Sequence, residues 1–509
     1  MTVEQEREVE RTYDVTSGRA LPPLAGEGGV ASTSTVVLAL EATYHDTVDL
    51  ALARNGFTLR RRTGGVDDGW HLKLPRSGDS RTELHVPLGA EDEVVPGELL
   101  ARVRAHVRER ALAPVVRIST HRTQHALRDG DGTVLALVCD DRVRAEQLLE
   151  DGDVVEWREW EVELAASDES FLDGIEARLR AAGAESASST SKLARALAGR
   201  LPPPEPSPSA ASLRDGTAAD VVRAHLVEHV AALLREDGRV RSGEADSVHK
   251  MRIAARRLRA ALQTCAPLFE DGGYVALRED LRWLGRELSA ARDAQVLRER
   301  LRHLVADEPS ELVMGPVAVS IDDALGAAER SGRVRALEAL DDPRYLRMLD
   351  ALDAYVLDLP MTEDANASAQ EVLPRLLRRD VKRLRRAVRD ACQAEDGTER
   401  DVALHEARKK AKRLRYAAEL AVPALGRPAD ELASAAKGVQ QVLGEHQDTV
   451  MSRAFLRELG ARMHTDGLNG FSLGRLHAIE QARAEAAARD LEQAWSAVKA
   501  TGTRKRLGG

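Results

Sequence analysis

The chain has 509 residues, and at roughly 100 to 200 residues per domain it is long enough for two to four domains. Its formal net charge of −9, with 43% hydrophobic and 31% charged residues, is typical of a globular protein and argues against one that coats nucleic acid or crosses a membrane. The N-terminus lacks the basic start and apolar stretch of a signal peptide, so we expect a cytoplasmic protein.

The first 200 residues have the pattern of β-strands. Alternating polar and apolar side chains predict strands at residues 8–13, 57–62, 70–74, 134–138 and 157–164. The Gly/Asp turn at 129–132 lies between two such runs and predicts a hairpin. We therefore expect an antiparallel β tunnel or barrel with accompanying helices, as one part of an α+β multidomain protein.

Charged side chains alternate along these strands so that like residues share a face. Four carboxylates on inward faces would offer the hard oxygen ligands that Mg²⁺ or Mn²⁺ prefers: Glu8, Glu10, Glu161 and Glu163. Arg60 and Arg62 share a face, as do His71 and Lys73, and Arg122 follows on a later strand. A barrel lined in this way would hold a metal and a phosphate chain together, whereas the alternative is ordinary polar alternation on an exposed sheet.

In residue order, these features resemble the CYTH family of triphosphate tunnel enzymes over about residues 3–200. The resembling segments are Glu8-x-Glu10, Tyr44-His-Asp-Thr47, Leu59-Arg-Arg-Arg62, Leu72-Lys-Leu-Pro75, Asp140-Asp-Arg-Val143, Glu159-x-Glu-x-Glu163 and Ser191-Lys-Leu193. The resemblance implies catalytic roles for Glu8 and Glu10, metal positions at Glu8, Glu10, Glu161 and Glu163, and triphosphate contacts from Arg60, Arg62, Lys73, Arg122 and Lys192. The implied chemistry is metal-assisted attack of water on a terminal phosphoryl group.

One position departs from the pattern of that family, which opens with Glu-x-Glu-x-Lys. Here the lysine position is Thr12, whose neutral hydroxyl cannot supply the positive charge. On a regular strand the adjacent Arg11 faces the opposite side, so we expect it to be a poor substitute. The departure would weaken hydrolysis, change the substrate or leave a tunnel that only binds.

A proline-rich segment at 201–209 marks a change of composition and predicts a stiff linker. Beyond it, long Ala/Leu/Arg/Glu segments with a 3.6-residue period predict helices throughout. The predicted organisation is a tunnel domain at 1–200, a linker at 201–216 and an all-α domain of two repeated bundles at 217–509.

The helical half contains one basic segment twice, at 249–259 and 405–415, offset by 156 residues. Four residues at i, i+3, i+7 and i+10 form a single cationic stripe in each copy: His249, Arg252, Arg256 and Arg259 in the first, and His405, Arg408, Lys412 and Arg415 in the second. Small and apolar residues on the opposite faces would pack in a core. Two bundles related by a pseudo-twofold axis would bring both stripes to one surface.

A further basic run at 375–389 carries Arg375, Arg379 and Lys382 on one broad side. Like charges at i, i+4 destabilise a helix by roughly 0.2–0.5 kcal/mol per pair, so such helices need acidic partners or a bound anion. Neutralisation by surface carboxylates explains one charge run, but the repeated spacing favours an anion site.

The two copies resemble the CHAD family, an all-helical module of two repeats, over about residues 217–495. The resemblance implies binding of inorganic polyphosphate, and the scarcity of aromatic residues, 3% of the chain, also favours a polyanion without bases over nucleic acid. Each histidine of the stripes would either contact phosphate or bridge helices.

The leading hypothesis is a polyphosphate-binding protein with a metal-dependent triphosphate tunnel, for which hydrolysis of tripolyphosphate or terminal phosphates is the candidate activity. The alternative is a non-enzymatic polyphosphate-binding protein of polyphosphate granules with a degenerate tunnel. Inorganic polyphosphate or triphosphate is the expected partner in both, and neither involves a membrane or nucleic acid.

Overall fold

A computed structural model describes residues 3–76, 78–89, 94–189, 191–202, 208–395 and 397–502. The chain forms two compact units, Met1–Glu205 and Pro206–Gly509. Residues 203–207 of the predicted linker lie outside the described residues, and the rest of that segment includes a short helix at Ala210–Asp215. Among the described residues, no helix is both long enough and apolar enough to cross a membrane.

The first unit is built on antiparallel strands. Its strands are β1 (Glu4–Asp14), β2 (Ser32–Asp46), β3 (Thr58–Thr63), β4 (Gly69–Lys73), β5 (Ser80–Pro87), β6 (Ala113–Arg128), β7 (Val134–Gln147), β8 (Val154–Leu164) and β9 (Glu185–Ser186). Its helices are α1 (Ala51–Arg54), α2 (Gly97–Val107), α3 (Glu169–Ala181) and α4 (Lys192–Ala196). The hairpin predicted at 129–132 joins β6 to β7.

Strand β1 closes the sheet into an eight-stranded barrel. The strand order is β5-β4-β3-β2-β6-β7-β8-β1, and the first half of β1 pairs back with β5 while its second half pairs with β8. The short β9 adds to the far end of β1. The two edge strands of the sheet, β5 and β8, therefore both pair with β1. This pairing closes the barrel around a tunnel.

Apolar side chains of the barrel point outward beneath the helices. Trp160 and Val162 of β8 pack with Ile175 of α3, and Trp70 of β4 packs with Val103 of α2. Because side chains alternate along a strand, an outward apolar core leaves the interleaved polar residues to line the interior. The charged residues predicted on inward faces therefore lie inside the barrel.

The second unit is helical throughout its described residues. Its helices are α5 (Ala210–Asp215), α6 (Ala218–Arg241), α7 (Ser247–Thr264), α8 (Gly273–Glu287), α9 (Ser289–Ala306), α10 (Val317–Asp341), α11 (Pro343–Leu357), α12 (Ala369–Gln393), α13 (Thr398–Leu425), α14 (Arg427–Thr465) and α15 (Phe471–Gly502). The α+β multidomain fold predicted from sequence, with an N-terminal β tunnel and a C-terminal all-α domain, is confirmed.

The two basic repeats are helices α7 and α13, which contact each other. The faces opposite the cationic stripes are buried as expected: Met251, Ala255, Leu258 and Leu262 on α7, and Ala407, Ala411, Leu414 and Ala418 on α13. A separate core between α9, α10, α14 and α15 includes Leu301, Ile321 and Leu456. The stripes therefore stand on rigid, buried supports.

Candidate functional site

The barrel interior is a cavity of about 280 Å³ with a strongly charged lining. Charged residues on its wall are Glu6, Glu8, Glu10, Arg60, Arg62, Asp67, Lys73, Arg76, Arg81, Glu83, Arg122, Glu159, Glu161, Glu163, Lys192 and Arg195. All nine tunnel residues predicted as catalytic or metal-binding are in this set. An apolar stretch from β2, which includes Leu38 and Leu40, completes the wall.

The carboxylates of β1 form ion pairs with cations from β4, from β5 and from the connection between them. The ammonium of Lys73 donates to both carboxylate oxygens of Glu8 at 2.6 Å. Glu10 accepts hydrogen bonds from Arg76 at 2.5 Å and from Arg81 at 2.6 Å. Both glutamates are buried, so these ion pairs offset a large desolvation cost. Arg76 and Arg81 were absent from the sequence prediction.

A second acidic group lies on β7 and β8. Ligand oxygens of Asp141, Glu159 and Glu161 lie within 4.8 Å of one another, a spacing that suits a metal ion. The Nζ of Lys192 in α4 forms ion pairs with Asp141, Glu159 and Glu161, at 3.1, 2.6 and 2.5 Å respectively. Arg122 also donates to Asp141 and to Glu161. Three hard oxygen donors fit Mg²⁺ or Mn²⁺, but an ion bound among them would displace the Lys192 ammonium.

Ionisation in this second group is set by the same contacts. Burial opposes the charged form of Glu161, but Lys192 and Arg122 outweigh it and hold the pKa of this carboxyl well below its usual range. Burial likewise opposes the charge on Lys192, yet Glu159, Glu161 and Asp141 raise its pKa well above normal. The carboxylate and the ammonium are thus both charged at neutral pH.

Glu163 differs from the other predicted metal ligands. It pairs across the β1–β8 ladder with Glu10, and in the described part of the chain its carboxylate has no hydrogen bond or ion pair. Burial, and then the nearby charge of Glu8, raise the pKa of Glu163 to about 7. A cation beside Glu163 would relieve this repulsion, but among the described residues the carboxylates close enough together for a metal ion are Asp141, Glu159 and Glu161, and Glu163 is not one of them.

The cations predicted to contact triphosphate already have acidic neighbours. Arg60 lies 3.5 Å from Glu83, and the carboxylate of Glu83 also accepts a hydrogen bond from Nδ1 of His71 at 2.9 Å. Arg62 forms an ion pair with Asp67, in the turn between β3 and β4. A phosphate chain that enters the tunnel must therefore compete with internal carboxylates for its cations.

Thr12 faces the tunnel and pairs with Glu161 across the β1–β8 ladder. Arg11 lies on the outer face, where it binds Asp79 at 2.9 Å and Asp173 and Glu176 of α3 at 2.7 and 2.8 Å. The expectation that Arg11 faces away from the tunnel is confirmed. Lys192 is the ammonium that stands beside Glu161 instead.

In the helical unit, the stripes of α7 and α13 meet. Arg252 and Arg256 of α7 lie close enough to Arg408 and Lys412 of α13 to disfavour protonation of Lys412 electrostatically. We refer to these four residues as the cation cluster. The carboxylates that face it are Asp293 of α9, 3.1 Å from Arg252, and Asp448 of α14.

Two arginines of the cation cluster, Arg256 and Arg408, each have a buried Nε that lacks a hydrogen-bond partner among the described residues. A buried donor without an acceptor costs about 1–3 kcal/mol, and more when it is charged. A bound anion would satisfy both donors, and a guanidinium fork suits phosphate oxygens.

The remaining predicted residues lie around the cation cluster or away from it. His405 bonds Gln447 of α14 at 2.6 Å, whereas His249 faces Arg292 instead. Arg415 is paired with Glu419 at 2.7 Å, and Arg259 lies near Arg282 and Arg278 of α8. The three predicted residues of α12 are exposed, namely Arg375, Arg379 and Lys382. They lie on a different side of the helix from Asp380, which contacts α7 and α13.

Comparison with known proteins gives the two domains their families. Residues 6–197 match the CYTH domain, and residues 224–457 match the CHAD domain. Among solved structures, PptA from Streptomyces chartreusis is 22% identical, with a TM-score of 0.47 over 55% of this chain and 99% of that chain. The CHAD domain from the plant Ricinus communis is 23% identical, with a TM-score of 0.44 over 56% of this chain and 93% of that chain.

Two curated proteins match along nearly their whole length. They are the uncharacterized proteins Rv2226 and MT2285 from two strains of Mycobacterium tuberculosis, each 39% identical over 508 residues, which is 96% of this chain and 95% of each relative. The chain therefore belongs to the same family as these mycobacterial proteins, and it combines an N-terminal CYTH domain with a C-terminal CHAD domain.

Proposed function

We propose that this protein binds inorganic polyphosphate through its CHAD domain. The observation that carries the proposal is the cation cluster, where two repeats converge and the buried Nε atoms of Arg256 and Arg408 lack partners. A flexible chain of phosphates would supply acceptors to several guanidinium groups at once and needs no aromatic rings for recognition. The exposed basic face of α12 would add a weaker, screened attraction.

Charge reversal tests this binding. Replacing Arg252 and Arg408 together by Glu should lower the affinity for long-chain polyphosphate by at least about 100-fold, because each arginine contributes charge-assisted hydrogen bonds. The matched control, Arg252→Lys with Arg408→Lys, keeps the charge and should retain most of the binding. Unchanged affinity in the correctly folded Glu variant would refute the proposed surface, and equal competition by double-stranded DNA at matched phosphate and salt would indicate a nucleic-acid site.

For the CYTH domain, we propose that the tunnel takes a triphosphate or the end of a polyphosphate chain. Glu8, Glu10, Glu161 and Glu163 are the proposed metal ligands, with Asp141 and Glu159 added by the acidic group around Lys192. A bound Mg²⁺ or Mn²⁺ would polarise the phosphoryl group and activate water. Arg60, Arg62, Lys73, Arg122 and Lys192 would bind the phosphate oxygens and stabilise the charge that develops during transfer.

Hydrolysis is the candidate reaction of this tunnel, and its test is phosphate release. We expect release from tripolyphosphate with Mg²⁺ or Mn²⁺ and loss of release with a chelator. Long polyphosphate and ATP, assayed alongside, would identify the preferred substrate. If none of these substrates yields phosphate, the tunnel is a binding site and the alternative holds, namely a granule-associated polyphosphate-binding protein, for which Thr12 is the main support.

A further inference from the structure

The cation cluster contains a substitution between the repeats that changes its chemistry. The 156-residue offset aligns Arg252 with Arg408 and Arg256 with Lys412. Arginine keeps its proton throughout the physiological range, whereas a buried lysine readily loses its own. The cluster therefore joins three guanidinium groups that are always charged to one amine that can become neutral.

Lys412 is crowded by positive charge from two helices. Arg408 stands one turn before it on α13, and Arg252 and Arg256 face it from α7. The other charged groups at this place are Asp448, Glu445 and Asp293, which favour cations, and Arg300 of α9 beside Asp448. Glu445 is already bound to Arg300 at 2.6 Å and Asp293 to Arg252 at 3.1 Å, so Asp448 is the carboxylate left to Lys412 and Arg408.

This surrounding disfavours the ammonium form in the absence of an anion. Burial, and then the charges of Arg408, Arg256 and Arg252, lower the pKa of Lys412 to about 7. Asp448 opposes this shift without cancelling it, because its attraction is smaller than the effect of burial and of the three arginine charges. A bound polyphosphate would bring several negative charges to the same place and reverse the balance.

We propose that Lys412 couples anion binding to proton uptake: in the empty site much of it is the neutral amine, and a bound phosphate chain draws a proton from the solvent onto its Nζ. The inference rests on the proposed polyphosphate binding and names a regulatory property of that site. Affinity then falls as pH rises above neutrality, by roughly tenfold per pH unit where the free amine is neutral and the bound one charged. Acidification would tighten polyphosphate binding without any change of contacts.

The test is proton uptake on binding, measured by calorimetry at pH 8 in buffers of different ionisation enthalpy, with long-chain polyphosphate as the ligand and the full-length protein. The wild type should take up more protons than Lys412→Arg by a difference approaching one per site. Since the ligand and the tunnel are the same in both proteins, this difference isolates Lys412. A second variant, Lys412→Gln, should bind more weakly and also lack this proton.

The possible results separate the inference from the proposed function. Equal proton uptake by the wild type and Lys412→Arg, with binding intact, overturns the coupling and leaves polyphosphate binding standing. If neither protein binds polyphosphate, both proposals fall. Affinity measured between pH 7 and pH 9 is an independent readout. The coupling is supported if the wild type loses more affinity over this range than Lys412→Arg does.

Discussion

Thr12 stands where the CYTH pattern has a lysine, and the tunnel compensates only in part. Lys192 contacts Glu161 from α4, but it is shared with Glu159 and Asp141. The ammonium of Lys192 donates to these internal carboxylates. Lys192 could therefore bind a substrate only if it gave up hydrogen bonds to them. For the proposed reaction, Thr12 therefore leaves the tunnel without one positive charge that the family pattern supplies.

Thr12→Lys should raise tripolyphosphate hydrolysis about tenfold, which corresponds to roughly 1.4 kcal/mol of extra transition-state stabilisation. The new ammonium would face the cavity across from Glu161, where a transferred phosphoryl group can use it. Phosphate release at saturating substrate measures the change, and Thr12→Gln is the uncharged control of similar length. No gain over that control would mean that the lysine position does not limit this tunnel.

Glu163 predicts a pH dependence of stability. The unfolded carboxyl loses its proton near pH 4.5, but in the fold its pKa is about 7, so between these values the unfolded state is favoured progressively as pH rises. The cost reaches up to about 3 kcal/mol above pH 7. Glu163→Gln removes it and should raise the thermal midpoint at pH 8 in the presence of a chelator, but not at pH 4. An equal shift at both pH values would contradict the assigned pKa.

At the scale of elements, the CHAD domain has two basic surfaces that differ in their exposure to solvent. The cation cluster is half-buried between α7 and α13, and its charges act at short range with little screening. The basic face of α12 is exposed, and its Asp380 is buried on another side with Arg413 at 2.9 Å. Helix α12 therefore presents its arginines to solvent, where salt screens them.

Charge reversal on α12 should accordingly matter less than in the cation cluster. Arg379 and Arg386 are both exposed on α12, and Arg379→Glu with Arg386→Glu changes the net charge by the same amount as Arg252→Glu with Arg408→Glu. We expect a loss of polyphosphate affinity of about tenfold or less that disappears at high salt, since exposed charges contribute little individually. Titrations at two ionic strengths measure the effect, and a loss as large as that of the cluster pair would make α12 the principal surface.

At the scale of the whole molecule, the two domains share one chain. If the CHAD domain binds polyphosphate as proposed, the ends of the bound chain are at a raised local concentration for the CYTH tunnel of the same molecule. This benefit applies to long chains that can occupy both sites, and it does not apply to tripolyphosphate.

The Arg252→Glu and Arg408→Glu pair should therefore lower phosphate release from dilute long-chain polyphosphate several-fold and leave release from tripolyphosphate unchanged. Initial rates on both substrates test this, and saturating polyphosphate should restore the variant. An equal loss on tripolyphosphate would show that the substitutions act on the tunnel itself rather than through tethering.

Local periodicity made part of this molecule predictable. Alternation placed Glu8, Glu10, Arg60 and Arg62 on inward faces, and the 3.6-residue period put Leu258 and Leu414 beneath the cationic stripes. Asp141 and Glu159 lie within the segments that resemble the CYTH family, and alternation along β8 places Glu159 on the same face as Glu161. These features depend on neighbours in sequence, so one chain suffices to find them.

The choice of partners was decided by the tertiary structure. Lys73 meets Glu8 from 65 residues away, and Lys412 meets Arg256 across the two repeats. No local pattern encodes which charge faces which, because strand register and helix packing determine it. The sequence alone determined two domains, an inward-charged barrel and a duplicated cationic stripe, while only the fold decided which cations are neutralised within the protein and which are left for an anion.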